Sequence, residues 1–411
     1  MKNKVLQAGQ MAALSARYLL ARPLSSVLNL LMLALGLAAM TVLLVLAVQL
    51  DRAFERDLRG IDVVVGAKGS PLQLILAGVF HLDVPPGNIA WADARALAQH
   101  PQVEQLIPLS LGDSFRGFRI VGTQPSYLTH YGATLAQGQL WQKPLQVVVG
   151  SQAAQRTGLA VGVRFVGSHG LGGGGHEHGE RPFTVVGVLA PCACVLDRLV
   201  LTATESVWAV HDQAMDLDEE DLKAMEDERD ITLALIRYRT PLAAVSFPRW
   251  VNTTTPMQAA APALEITRLL RMVSVGTDVL KAFAGVLLFT AGLSVFIALW
   301  GAVRERRSDL ALLRMLGASP LRVAGLLWCE ALWLALVASV LGLALGHGAL
   351  AVMGLMLDQA QSVALSPWVW TPEEAWVPAL ALGVATLAAL VPAWSAYRVD
   401  VASLFHAQAT R

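Results

Sequence analysis

Four stretches of this chain are long, apolar and almost free of charge, and a chain that carries them is built around a lipid bilayer. A spanning helix needs about 20 apolar residues. Residues 27–50 and 376–397 carry no Asp, Glu, Lys or Arg; 278–303 carries them only at one end, at Asp278 and Lys281; and 323–353 carries only Glu330. Overall the chain is 55% hydrophobic and 15% charged, against about 25% charged in an ordinary soluble domain. The deficit is confined to these runs, and 51–277 has the composition of a globular protein. The sequence therefore predicts a membrane protein, α-helical with four transmembrane helices, plus a large α+β extracytoplasmic domain between helices 1 and 2. Net charge is zero, which gives no pull toward nucleic acid.

The first run is longer than the apolar core of a signal peptide and follows 26 residues, so it reads as an uncleaved anchor. Orientation follows from the basic residues of the short segments. The leader, 1–26, has Lys2, Lys4, Arg17 and Arg22 and no acid. The loop 304–322 has Arg304, Arg306, Arg307, Arg314 and Arg322. The loop 354–375 has no Lys or Arg, and the tail 398–411 has Arg398 and Arg411. Both termini and the loop 304–322 are expected in the cytoplasm, with 51–277 and 354–375 outside. In the leader, Leu14, Arg17, Tyr18, Leu19, Arg22 and Pro23 suggest an amphipathic helix lying on the inner face; a plain basic flank is the alternative.

Within 51–277, strand-like stretches at 61–66, 118–122, 146–150, 183–189 and 199–203 alternate with helix-like ones at 91–100, 151–158 and 219–229. This implies an α+β domain, with two lobes, and no residue pattern of a hydrolytic site. Cys192 and Cys194 read as a poor geometry for a mutual disulfide, and so as small residues in a turn after Pro191 or as a redox or metal element. The Gly-rich stretch 167–180 carries His169, His176 and His178, a candidate zinc site or a solvated hairpin loop between strands at 163–166 and 183–189. The acidic run 216–221 reads as a charged helix start.

Inside the spans, Glu330 is an expensive residue that either bonds across the bundle or snorkels to the inner surface. His347 is expected to be solvated at the outer interface. Small residues let helix backbones approach closely in lipid. Those at Ala34, Ala38, Ala291 and Gly292 predict the seam of a two-fold dimer formed by spans one and two; packing within one chain is the alternative.

The loop between spans two and three reads Val303-Arg-Glu-Arg-Arg-Ser-Asp-Leu-Ala-Leu-Leu-Arg-Met-Leu-Gly-Ala-Ser-Pro-Leu-Arg-Val323. Leu310, Leu313 and Leu316 lie at helical spacing, Arg306, Arg307 and Arg314 offer charge, and Gly317 is a helix stop. This predicts a short amphipathic helix that fits a groove on a cytoplasmic partner. The same loop resembles that of the MacB/FtsX-type ABC permeases. So do Ser15–Leu24, read as the family's helix leading into the membrane, and Gly66–Leu74, similar to a subgroup with a stand-alone permease chain. The end, 392–404, is similar to the family's terminal signature, with Val401 in place of its usual proline. Where that subgroup has a His–Asp pair this chain has Cys194 and Asp197.

The resemblance implies a bacterial inner-membrane permease subunit, not itself an enzyme, working with two copies of a cytoplasmic ABC ATPase and a second copy of itself, and with a periplasmic adaptor or substrate protein. No Gly-x-x-x-x-Gly-Lys-Ser/Thr loop is present, so ATP and magnesium are expected in the partner and no cofactor in this chain beyond the zinc already considered. The implied mechanism is mechanotransmission, in which ATP-driven movement of the loop helix is carried to the outer domain for export or extraction. A membrane regulator of a cell-wall hydrolase and a lipoprotein-releasing permease are the alternatives.

Overall fold

The computed structural model describes residues 2–170, 181–211, 229–359, 366 and 368–398. The chain divides into two compact units, one formed by residues 1–50 with 273–411 and the other by 51–272.

The first unit is helical. A leader helix, Lys2–Leu20, is followed by Pro23–Leu58. Later come Pro262–Glu305, a short helix Arg307–Met315, then Pro320–Gln359 and Trp376–Tyr397. Among the described residues, four helices are long and apolar enough to cross a membrane. Their shared core is made of small and branched residues, among them Leu33, Leu37, Leu288, Val295, Leu327, Ala335, Ala381 and Ala385. Outward-facing Leu31, Leu35, Phe283, Phe289, Ile297, Val340 and Leu387 are exposed, the inverse of a soluble bundle and what lipid as solvent demands.

Glycine sets the distance between the first and third spans. A Cβ on Gly342 would lie 2.6 Å from Leu37 Cβ, and one on Gly346 would lie 2.7 Å from Thr41 Cβ. A polar pair closes one more contact. Ser294 Oγ donates to Asn29 Oδ1 at 2.6 Å, joining the second span to the first, while Thr41 Oγ1 donates within its own helix to the Leu37 carbonyl at 2.9 Å.

The second unit is α/β. Its strands are β1 (Val63–Ala67), β2 (Ile89–Ala90), β3 (Val103–Phe115), β4 (Phe118–Thr123), β5 (Leu135–Gly138), β6 (Gln146–Val149), β7 (Arg164–Phe165), β8 (Ser168–His169), β9 (Phe183–Leu189), β10 (Leu199–Ala203), β11 (Asp230–Ile231), β12 (Leu233–Tyr238) and β13 (Met257–Ala260). Among the described residues the main sheet runs β13-β1-β12-β3-β4-β10-β6-β9-β5. β3 joins two halves. Its first part pairs with β12 and its second with β4, and the register shifts between Leu111 and Ser114, a bulge that bends the strand. On one side the helix Ala243–Thr254 packs Phe247 and Val251 against β1 and β12. In the other half β4–β10 and β6–β9 are parallel pairs, with the helix Ser151–Thr157 in the connection that follows β6. The pairing expected between strands at 163–166 and 183–189 is present as β7 against β9.

One expectation is overturned here. Cys192 and Cys194 form a disulfide, with Cα atoms 5.1 Å apart, inside the usual bridging range. The intervening Ala193 has φ of +53°. That left-handed turn draws the two Cα atoms closer than an extended tripeptide, which holds residues i and i+2 on one face but roughly 6.6 Å apart.

Candidate functional site

The candidate site lies where the second span ends and the chain turns back into the third. Pro262–Glu305 stops, Arg306 has a φ of −98° and ψ of 16°, and the short helix Arg307–Met315 begins at once. Asp309 in its first turn and Arg314 in its last suit the helix dipole. Gly317, at φ +93°, ends it, with the Gly317 and Ala318 N–H groups bonding back to the Arg314 and Leu313 carbonyls at 3.1 and 3.0 Å. Pro320 then opens the third span helix, a good first helical residue because its missing N–H would have no partner there.

The helix has two faces, and they are not those its leucine spacing suggests. Leu310 is 3% exposed and belongs to the bundle core with Val303, Val323 and Leu327. Leu313 and Arg314 are half-buried. The outward stripe is Leu312, Met315 and Leu316, at 54, 50 and 78% exposure, bordered by exposed Arg307, Ser308 and Asp309. Leu310 is thereby corrected from docking residue to anchor: one turn of helix places positions 312, 315 and 316 on the side opposite to 303 and 310.

Arg306 also turns inward. Its guanidinium meets Glu330 Oε1 at 2.9 Å, with side chains only 11% and 3% exposed. The same group lies 4.2 Å from the centroid of the Tyr18 ring and donates to the Tyr18 carbonyl at 3.5 Å. Its neighbour Glu305 pairs with Arg22. Trp333 Nε1 donates to the Ala12 carbonyl at 3.0 Å. Arg314 Nη1 reaches the Tyr397 carbonyl, 3.5 Å away at the end of the fourth span. The short helix is thus tied by named polar contacts to the leader, the third span and the fourth. A buried carboxylate and a buried guanidinium are each costly without a partner and tolerable together; Glu330 bonds across the bundle and does not snorkel.

Residues 281–401 match the FtsX-like permease C-terminal family, and residues 26–228 match the MacB-like periplasmic core domain. The chain belongs to the MacB/FtsX-type ABC permeases. Such domains mark the permease as a transport subunit and not a catalytic enzyme. It is similar to two solved structures. One is the crystal structure of the periplasmic region of MacB from Actinobacillus actinomycetemcomitans, 14% identical, with a TM-score of 0.34, over 52% of this chain and 95% of that one. The other is the extracellular domain of the noncanonic ABC-type transporter YknZ from Gram-positive bacteria, 12% identical, TM-score 0.29, over 48% and 98%. No curated protein matches the permease.

The other residues singled out in the sequence fall as follows. Ala34, Ala38 and Ala291 are buried by helices of the same chain. A Cβ on Gly292 would meet Val384 of the fourth span at 2.9 Å. The small residues expected at a dimer seam are therefore used up inside one permease, because in lipid the same close packing serves either purpose. His347, expected to be solvated, has Nε2 2.8 Å from Glu374 Oε2 and its ring centroid 4.5 Å from that of Trp370. Glu374 also accepts from the Thr371 N–H at 2.7 Å, fixing the start of the fourth span. His176 and His178, and the acidic run 216–221, lie outside the described residues. His169 lies in β8, and among the described residues no group of three or more metal-ligating side chains is found.

Proposed function

We propose that the permease couples ATP hydrolysis, by a P-loop ATPase outside these 411 residues, to conformational change in its 51–277 domain, and that the helix Arg307–Met315 is the docking element. The exposed Leu312, Met315 and Leu316 stripe on a helix otherwise fastened to the bundle carries this reading. Exposed apolar residues at i, i+3 and i+4, beside charge, suit a groove on a soluble partner. Two ATPases and two permeases form the machine, ATP and magnesium stay with the ATPases, and the zinc ligands are His169, His176 and His178. Both termini and the docking helix face the cytoplasm of a bacterial inner membrane, in keeping with the arginines of 304–322, and 51–277 faces outward. Movement of the docking helix passes through Arg306 and Glu305 to the leader and the third span, and through the long helices of spans one and two to the outer domain. The domain then acts on a substrate already outside the cytoplasm or in the membrane, for export or extraction.

The test is substitution of the stripe. Leu312→Asp with Leu316→Asp places charge in an apolar groove, a cost of several kcal/mol, on the order of 2–7 for an unpartnered polar group. The variant is expected to insert and fold but to lose ATPase binding and the permease-dependent part of ATP hydrolysis. Wild-type hydrolysis in that variant would refute the docking role.

A further inference from the structure

The Cys192–Cys194 disulfide sits at a place where opening it has consequences. It closes a loop of three residues, about the smallest a protein can make, so its contribution through the unfolded chain is near the bottom of the range for disulfides. It also holds Ala193 at φ +53°, a region that non-glycine residues avoid. A bridge that stabilises little and keeps a backbone strained is of the labile kind.

Its surroundings are built. Asp197 Oδ1 accepts from the Cys192 N–H at 3.0 Å and from Ser151 Oγ at 2.8 Å, and lies 3.5 Å from Cys192 Sγ. Cys192 is partly exposed, whereas Cys194 is 7% exposed and packs with Val195 and Leu196 in the domain core. The turn also reaches the end of the helix Pro23–Leu58. The Val195 N–H and Arg198 both lie near enough to the Asp57 carboxylate to favour its charged form. Asp57 is 4% exposed, and its carbonyl accepts from Tyr131 Oη at 2.9 Å. Phe54 and Leu58 of the same helix pack on the core that contains Cys194.

We propose that Cys192–Cys194 is a thiol–disulfide exchange site for an extracytoplasmic dithiol protein, and that its redox state latches or frees the grip of the 192–198 turn on Asp57, where the first long helix joins the domain. The inference rests on the outward placement of 51–277 proposed above. A thiolate of the dithiol attacks Cys192 Sγ, the accessible sulfur. The Cys192–Cys194 bond breaks, and Cys194 leaves as a thiolate and is protonated. The second thiol of the dithiol, once deprotonated, attacks its own first sulfur in the mixed disulfide. Cys192 leaves as a thiolate and takes a proton in turn. The dithiol is oxidised to a disulfide, the pair is reduced to two thiols, and two electrons and two protons have moved. Ala193 is then released from its left-handed turn.

The experiment uses the full chain in nanodiscs with Cys329→Ser, so that only the pair carries thiols, and dithiothreitol as probe. Without denaturant, reduction is expected to yield two alkylatable thiols with unchanged helical circular dichroism, and hydrogen exchange is expected to lose protection at Val195 and over 54–58. Oxidised glutathione is expected to add to Cys192 in the Cys194→Ala variant and to leave Cys194 unmodified in Cys192→Ala. Opening of the pair only in denaturant, equal adducts on both cysteines, or unchanged protection at Val195 after reduction would each overturn the proposal. None of these readouts involves the ATPase, so failure of docking at Leu312 and Leu316 leaves them intact.

Discussion

Arg306→Met leaves the Glu330 carboxylate, 3% exposed, without the guanidinium that bonds it at 2.9 Å. Removing one partner of a buried pair costs about 3–5 kcal/mol, and the loss of the cation over the Tyr18 ring adds about 0.5–2 kcal/mol. Glu330→Met strands the guanidinium instead, but Arg306 retains the Tyr18 ring and carbonyl, so the cost is expected at the low end of that 3–5 kcal/mol range. In the double variant neither charge is stranded, and a buried pair replaced by apolar residues of similar volume is about neutral. The double variant should therefore be more stable than Arg306→Met alone, by about 3–5 kcal/mol, and the two single losses should be far from additive. Thermal unfolding of the full permease in nanodiscs, followed for all four members of the cycle, measures both. ATPase stimulation in the reconstituted complex, measured in parallel, is expected to stay low in the double variant even where stability returns, because the leader and third span are no longer tied to the docking helix. Additive losses, with the double variant the least stable of the four, would refute the buried pair.

Four further outcomes are expected. Leu310→Asp should destabilise the permease itself, in contrast to the stripe variants at Leu312 and Leu316, and the two sets are separated by measuring thermal stability beside ATPase binding. Burial and the nearby Arg119 and Arg198 charges hold His81 well below its ordinary pKa of 6.5, with Nε2 3.0 Å from Tyr127 Oη. The unfolded chain then binds the extra proton, so stability from this group is complete above pH 6.5 and falls below it, by up to about 1.4 kcal/mol per pH unit. His81→Gln should remove that acid slope from a pH series of unfolding midpoints and expose the opposite slope of Asp57, whose carboxyl burial raises above 3.8. Cysteines introduced at Ser168 and Ser366 should label from outside intact cells and one at Ser308 should not; labelling at Ser308 would reverse the topology. A cysteine at Ala38 paired with one at Gly346 should cross-link within one chain on oxidation, and a dimer band on a denaturing gel would restore the seam at these residues.

What the sequence makes legible here is set by how local each cause is. The spans are legible because twenty apolar residues in a row admit one solution, and the stop at Gly317 because the residue itself supplies the φ. β9 and β10 are plain, bounded runs of branched residues. β3 is hidden: Pro108 argues against a strand, and its central residues are buried on both faces, which erases the alternation that reveals strands. The fate of each arginine in 304–322 is hidden for a different reason. Counting basic residues gives an expected side of the membrane, but Arg306 is distinguished from Arg307 by Glu330 and Tyr18, 24 and 288 residues away. Leu310 and Leu312 likewise differ only in which of them meets Val323 and Leu327. The Cys192–Cys194 bridge is legible only to a reader who grants Ala193 a positive φ, which nothing in its side chain predicts.

The apolar stripe of Leu312, Met315 and Leu316 has a consequence for the life of the subunit before assembly. If the proposed docking holds, until an ATPase covers them the permease presents three large apolar side chains to water, where chaperones and membrane proteases sample new proteins. On the proposed docking, unequal synthesis of the two subunits becomes costly: an orphan permease is expected to be a degradation target, with its abundance tied to that of its ATPase. Cells making the permease alone should hold less of it than cells making both, and serines at Leu312 and Leu316 should restore the orphan to higher levels while leaving it unable to pull.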